Sequence, residues 1–140
     1  MRVRGADMSV DVWEPGGTAD HGVQIQGELL RRLVDCAREE LTTLDQEQLQ
    51  AHRLADESRL MGLEPGAWET ASELSTEDIE RLVRFFTLVE MKIAGWEGGR
   101  KSPVIPLVRM LKSREAFTAE LRKWIKANTS NRYLPNGSAL

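Results

Sequence analysis

The apolar residues of this chain recur with helical spacing over most of its length. The strongest pattern lies at residues 74–96, where successive apolar residues are three or four positions apart: Ile79, Leu82, Phe86, Val89 and Ile93. Residues with this spacing share one face of an α-helix. Val83, Phe85 and Leu88 make the face wider than a coiled-coil seam. The pattern therefore predicts a central helix at about residues 75–94 that the rest of the chain encloses.

Local signals mark both ends of this central helix. Ser75 is a favoured N-cap residue, and the acidic Glu77 and Asp78 would lie at the positive end of the helix dipole. Gly95 is expected to take the left-handed conformation just after the last turn. These signals predict where the helix begins and ends.

Two helices are predicted before the central one. The first begins near residue 23, and its apolar residues are again three or four positions apart: Leu30, Val34, Ala37, Leu41 and Leu44. A second helix is expected at about residues 46–61, with Thr43 or Asp45 as its cap. Its apolar set is thin, and the sequence also allows one helix to run through residues 41–49 without a break.

Two further helices are predicted after the central one. A short, mostly apolar segment follows Ser102 and Pro103, and because Pro106 removes a helical hydrogen bond, this helix is expected to begin near Ile105. The last helix is expected to begin after Ser113 and to end near residue 127. Its apolar face would contain Phe117, Leu121, Trp124 and Ile125.

The predicted fold is all-α, a single irregular bundle of four to five helices around the central helix. A chain of 140 residues, 41% of them hydrophobic, suits one core. Residues 1–21 lack helical spacing and contain Pro15, Gly16 and Gly17, which predicts an irregular or disordered lead-in. The helical domain is expected at residues 22–128, and a C-terminal tail at residues 129–140.

Charge divides the chain into two unequal parts. Residues 1–80 contain 7 Lys/Arg and 18 Asp/Glu, whereas residues 81–140 contain 12 Lys/Arg and 4 Asp/Glu. The acidic helices could lie against the basic ones and cancel their charge within one fold, and this is the favoured interpretation. The alternative is that the basic part presents a surface to an acidic partner.

The candidate binding residues lie in this basic part and in the tail. Arg100 and Lys101, together with the N-terminus of the following helix, could hold an anion such as a phosphate. Tyr133 and Leu134 are large apolar groups that pack back onto the bundle or dock on another chain. The full candidate set is Arg100, Lys101, Arg109, Lys112, Arg114, Arg122, Lys123, Lys126, Arg132, Tyr133 and Leu134.

Signals for catalysis, metals and cofactors are weak. His52 and Asp56 are four residues apart, but a metal needs further ligands, and His21 is far away in the sequence. Cys36 has Arg32 and Glu40 four residues to either side, and their opposite charges predict an inert thiol. Residues 98–102 lack the spacing of a phosphate-binding loop. We therefore expect no catalytic residue, no metal site and no cofactor.

These observations favour a non-enzymatic binding protein, such as an adaptor, a regulatory subunit or an assembly component. Its expected partner is another protein or an acidic molecule; nucleic acid and a second copy of the chain are alternatives. A small carboxylate-dependent enzyme is a third, weaker alternative. The single cysteine and the acidic residues near the N-terminus predict a cytoplasmic protein with neither a secretory signal nor a membrane span.

Overall fold

The computed structural model describes residues 24–129, 131 and 133–136, and no residue in these ranges belongs to a β-strand. The α-helices of the described ranges are α1 (Gly27–Ala37), α2 (Gln46–Ala51), α3 (Thr76–Lys92), α4 (Val104–Ser113), α5 (Ala119–Asn128) and α6 (Tyr133–Asn136). Three 3₁₀ helices join them, at Ser58–Gly62, Pro65–Glu73 and Gly99–Lys101. The predicted all-α bundle is therefore confirmed, with about six helices rather than four to five.

The central helix α3 forms where the sequence predicts it. The Ser75 hydroxyl accepts a hydrogen bond from the Asp78 N–H at 3.1 Å, which satisfies a free donor of the first turn. After the last turn, Gly95 has a φ of +92°, a conformation that residues with a Cβ rarely adopt. The residues that form its predicted apolar face are all buried: Ile79, Leu82, Phe86, Val89 and Ile93.

The other elements pack around α3 and complete one core. Helices α1, α4 and α5 contact α3, and the Pro65–Glu73 helix contacts α4. Phe86 meets the ring of Trp68 edge-on at 5.2 Å and the ring of Phe85 edge-on at 5.0 Å. Aromatic pairs favour this geometry, so these three buried rings form the centre of the core.

The first two helices are shorter than predicted. Helix α1 ends at Ala37, and the Glu40 carboxylate accepts hydrogen bonds from the N–H and hydroxyl of Thr42, which favour a turn over another helical turn. Helix α2 ends at Ala51 and does not reach residue 61. Leu49, Leu54 and Leu60 are all buried but lie five and six residues apart, which a helix with 3.6 residues per turn cannot place on one face.

The bounds of the last two long helices also differ from the prediction. Helix α4 begins at Val104 instead of Ile105, and Ser113 is its last residue instead of the cap of the next helix. Glu115 then has a φ of +56°, which reverses the chain. The cap of α5 is Thr118, whose hydroxyl accepts a hydrogen bond from the Leu121 N–H at 3.0 Å.

The ends of the chain are only partly described. The predicted lead-in at residues 1–21 lies outside the described residues, and the domain bounds stay predictions. None of the described helices combines the length and the apolar composition needed to cross a membrane.

Truncation of Phe86 should destabilise the protein strongly. The Phe86→Ala variant would leave a cavity beside Trp68 and Phe85, and we expect it to lower the free energy of unfolding by about 3–5 kcal/mol. Met91 lies on the same helix and is 49% exposed, so Met91→Ala should cost less than about 1 kcal/mol. Urea denaturation followed by circular dichroism measures both values. Similar losses for the two variants would contradict the described packing.

Candidate functional site

The predicted binding residues do not form one continuous surface. The structure separates them into an internal arginine, an exposed face on α4 and α5, a basic pocket and a partly buried tail. Arg132 lies outside the described residues. Each group has a different set of neighbours and therefore a different capacity to bind a partner.

Arg114 is the internal arginine. Its guanidinium donates hydrogen bonds to the carbonyl oxygens of Ser72 at 2.7 Å and Leu74 at 3.0 Å, and to the hydroxyl of Thr76 at 3.1 Å. These contacts satisfy carbonyl groups at the end of the Pro65–Glu73 helix. Arg114 therefore joins the turn after α4 to the start of α3, and much of its hydrogen-bonding capacity is used within the fold.

The exposed face consists of Arg109 and Lys112 on α4 and of Arg122, Lys123 and Lys126 on α5. All five side chains are exposed. Within the described part of the chain, Arg109, Lys123 and Lys126 form no ion pair and no side-chain hydrogen bond. Lys112 lies over the ring of Phe117, 5.7 Å from its centre. We call these five residues the basic face.

The aromatic residues next to the basic face are already covered. Arg84 of α3 stacks on the ring of Trp124 at 4.7 Å, and Lys112 covers Phe117. Both aromatic rings are partly buried against the core. An incoming base could not stack on either ring without displacing a cation.

The basic pocket brings together residues from distant parts of the sequence. Arg59 from the Ser58–Gly62 helix meets Arg100 and Lys101 around a shallow pocket of about 450 Å³, with Glu97 as the one carboxylate in its lining. The predicted helix N-terminus does not take part, because Ser102, Pro103 and Val104 are all buried. The N–H of Val104 instead donates to the Ser102 hydroxyl at 3.2 Å.

Sequence reasoning missed Arg59. It lies 41 positions before Arg100, in the acidic part of the chain, and it was not in the candidate set. The only local signal was the break at Gly62, which shows that the chain turns there. Finding its proximity to Arg100 required the tertiary structure.

The charge of the two chain halves is cancelled only in part. Lys101 forms an ion pair with Glu64 of the acidic half at 2.8 Å. The other strong pairs near the core use residues outside the candidate set: Arg38 and Arg81 both bind Asp78, at 3.0 Å and 2.8 Å. Burial raises the pKa of Asp78, but hydrogen bonds from Arg81 and Arg38 outweigh it, and the pKa lies below its ordinary value.

A buried carboxylate, Glu90, supports the loop that carries Arg100 and Lys101. The hydroxyl of Ser102 donates to its Oε2, the amide of Asn131 donates to its Oε1 at 3.0 Å, and the N–H of Gly98 also binds it. Gly98 has right-handed helical dihedral angles and Gly99 has a φ of +56°, a succession that forms anion-binding backbone nests. In this loop, the Gly98 N–H binds the carboxyl group of Glu90.

The described part of the tail folds back onto the same loop. The Asn131 amide also donates to the carbonyl of Gly99 at 2.8 Å, and Leu134 is fully buried. Helix α6 contacts both α5 and the Gly99–Lys101 helix. Tyr133 remains 42% exposed. Leu134 is therefore part of the core and not a free docking residue, whereas Tyr133 is open to solvent.

The described residues hold no group of three or more His, Cys, Asp or Glu side chains that could bind a metal ion. His52 lies 2.9 Å from Glu39, and His21 lies outside the described residues. Cys36 is fully buried, and burial raises its pKa to about 11. At neutral pH, this thiol is protonated and shielded, as an inert cysteine would be.

A groove of about 580 Å³ lies between α1 and the Pro65–Glu73 helix. Asp35, Glu73 and Asp78 contribute carboxylates to its lining, together with Arg31 and Arg38. Asp78 is held by its two arginine partners. The expectation that the protein is not an enzyme stays a prediction.

Comparison with known proteins does not assign a function. No family model, no curated protein and no solved structure matches this chain.

The loop over Glu90 should not tolerate a side chain at Gly98. A Cβ atom there would lie 2.7 Å from the Cα of Ser102 and 3.3 Å from Oε2 of Glu90. We expect Gly98→Ala to lower the free energy of unfolding by about 1–3 kcal/mol. Gly66→Ala is the matched control, because no atom lies within 4 Å of its Cβ position. Equal urea midpoints for the two variants would show that the loop is looser than described.

Glu90 should give the stability of the protein a distinctive dependence on pH. Burial raises its pKa above the ordinary value of 4.5, despite hydrogen bonds from Ser102, Asn131 and Gly98. The folded state then holds this proton more tightly than the unfolded state, so the contribution of Glu90 to the free energy of unfolding falls as pH rises above about 4.5 and levels off above the raised pKa.

We expect the free energy of unfolding of the wild type to fall relative to that of Glu90→Gln as the pH rises through this range. Chemical denaturation at a series of pH values measures this difference. Glu69→Gln removes an exposed carboxylate and controls for the change in net charge. Parallel pH profiles for the wild type and Glu90→Gln would contradict a raised pKa for Glu90.

Proposed function

We propose that the protein is a non-enzymatic binding protein, an adaptor, regulatory subunit or assembly component whose basic face takes an acidic protein partner. One observation carries this proposal: the exposed Arg109, Lys123 and Lys126 have no ionic partner in the described part of the chain, although the protein has an acidic half. Unpaired charges of one sign on two consecutive helices attract an acidic partner and speed its association.

Nucleic acid is the second candidate partner, because phosphate contacts need only such a basic surface. The covered rings of Trp124 and Phe117 argue against a single strand held by base stacking. An acidic protein surface needs no stacking partner and fits the basic face better. A second copy of the chain could also supply acidic residues, from its own N-terminal half.

A cytoplasmic location is part of the same proposal. The one cysteine is a buried free thiol, so the described fold is not stabilised by a disulfide. This is the ordinary state of a protein in a reducing compartment.

A charge reversal on the basic face tests the proposal. Affinity purification of the tagged full-length protein from its native cells, followed by mass spectrometry, should recover a specific protein whose yield falls about tenfold or more with Lys126→Glu. Arg31→Glu is the control, because it reverses one exposed basic residue on α1 instead. Recovery of the same partner with both variants would contradict the role of the basic face.

Nuclease treatment separates the two candidate partners in the same experiment. A protein partner should be recovered equally with and without nuclease. If recovery is lost after nuclease treatment, or if the purified protein binds nucleic acid with an affinity that falls steeply between 50 and 200 mM salt, the nucleic-acid alternative replaces the protein partner.

A further inference from the structure

The pocket of Arg59, Arg100 and Lys101 differs from the basic face in having a defined concave shape. Its three cations come from two segments that are distant in sequence, the Ser58–Gly62 helix and the Gly99–Lys101 helix. The lining holds one carboxylate, that of Glu97, so its net charge is +2. We infer that this pocket is a binding site for a phosphate monoester or for the free phosphate dianion.

The one carboxylate in the lining is turned toward its own backbone. The Glu97 carboxylate accepts hydrogen bonds from the Gly95 N–H, at 3.2 Å to one oxygen and 3.4 Å to the other. It forms no ion pair with any of the three cations. The positive charge of the pocket is therefore not cancelled from within.

The carboxylates that do contact these cations lie outside the lining. Arg59 pairs with Glu57 at 3.0 Å, and Lys101 pairs with Glu64 at 2.8 Å. The Arg59 side chain is 67% exposed and that of Lys101 is 40% exposed. The Lys101–Glu64 pair is exposed on both sides, and such pairs contribute little to stability, so Lys101 can turn to an incoming anion. The Glu57 side chain is only 19% exposed, but its contact with Arg59 uses Nη2, so the other N–H groups of that guanidinium remain for an anion. Arg100 has no ionic partner within the described ranges.

The chemistry of the three donors favours phosphate over a carboxylate. A guanidinium group binds two phosphate oxygens with two parallel hydrogen bonds, and an ammonium group adds a third charged contact. A phosphate monoester carries close to two negative charges at neutral pH and offers three terminal oxygens in different directions. Its charge and its number of acceptors match three cations that approach from separate segments.

Contacts beneath the loop hold the backbone that carries two of the donors. Gly98 is packed against Ser102 and Glu90, and Asn131 of the tail binds both Glu90 and the Gly99 carbonyl. The backbone that carries Arg100 and Lys101 is thus held on its inner side before any ligand arrives. Preorganisation of this kind reduces the entropic cost of binding.

The site uses no side chain of the basic face, so it goes beyond the proposed function, and either proposal can fail alone. Inorganic phosphate, titrated at pH 7.5 and constant ionic strength into the ¹⁵N-labelled full chain, is the first probe. We expect saturable shifts of the amide signals of Gly95, Gly98 and Gly99, with a Kd on the order of 1 mM. The double variant Arg59→Gln, Arg100→Gln should weaken binding about tenfold or more.

The double variant Arg109→Gln, Lys123→Gln is the matched control, because it also removes two positive charges, but from the basic face. It should leave the affinity for phosphate within about twofold of the wild type. Amide signals far from the loop should be unchanged in every variant, which verifies the fold. Shifts that rise linearly with phosphate, or that saturate equally in the Arg59→Gln, Arg100→Gln variant, would overturn the proposal.

A second probe identifies the source of the phosphate group. A short phosphoserine peptide is compared with its unphosphorylated form and with inorganic phosphate. Tighter binding of the phosphopeptide than of the ion would assign the site to a modified protein chain. Equal binding of the peptide and the ion would assign it to a small phosphorylated molecule, and binding of the unphosphorylated peptide with equal affinity would contradict recognition of phosphate.

Discussion

Burial of more than half of the circumference of helix α3 is the constraint on which the rest of the structure depends. A helix with apolar residues around most of its circumference must be covered, and α1, α4 and α5 cover it. The few polar groups that α3 carries into the interior then need partners there, because an unpaired buried polar group is costly. The Thr87 hydroxyl donates to the Val83 carbonyl, Asp78 binds two arginines and Glu90 binds Ser102 and Asn131.

These requirements decide which charges remain for binding. Arg38, Arg81 and Arg114 bind acceptors of the fold itself, and Lys101 contacts a carboxylate of the acidic half. On the outward sides of α4 and α5, Arg109, Lys123 and Lys126 form no ion pair within the described ranges. These three cations of the basic face therefore keep their positive charge available for a partner, and this is the basis of the proposed binding function.

The sequence predicts what depends on local spacing and capping. The central helix could be predicted because its apolar period, its Ser75 cap and its Gly95 stop all agree. The end of α2 could not be, since the burial of Leu54 and Leu60 arises from contacts between distant segments and not from a helical period. The same limit applies to the sites. Arg114 appears in the sequence as one more exposed cation, and only the position of the Ser72 and Leu74 carbonyl groups shows its internal role.

The pocket shows this difference most clearly. Arg100 and Lys101 could be identified in the sequence as a basic pair beside glycines. The carboxyl group that the Gly98 backbone binds belongs to Glu90, which in the sequence only interrupts an apolar run. A carboxylate buried against a loop leaves no signature of its own in a single sequence. Its partners, Ser102 and Asn131, are small polar residues that are equally common at any turn.

The complete burial of Cys36 has a practical consequence for anyone who handles this protein. The chain contains one sulfhydryl group, and it lies inside the bundle, where reagents in solution do not reach it. Alkylation of the native molecule must wait for an opening of the bundle that exposes α1. The rate of that modification therefore reports how often the core opens, without the need for an attached label.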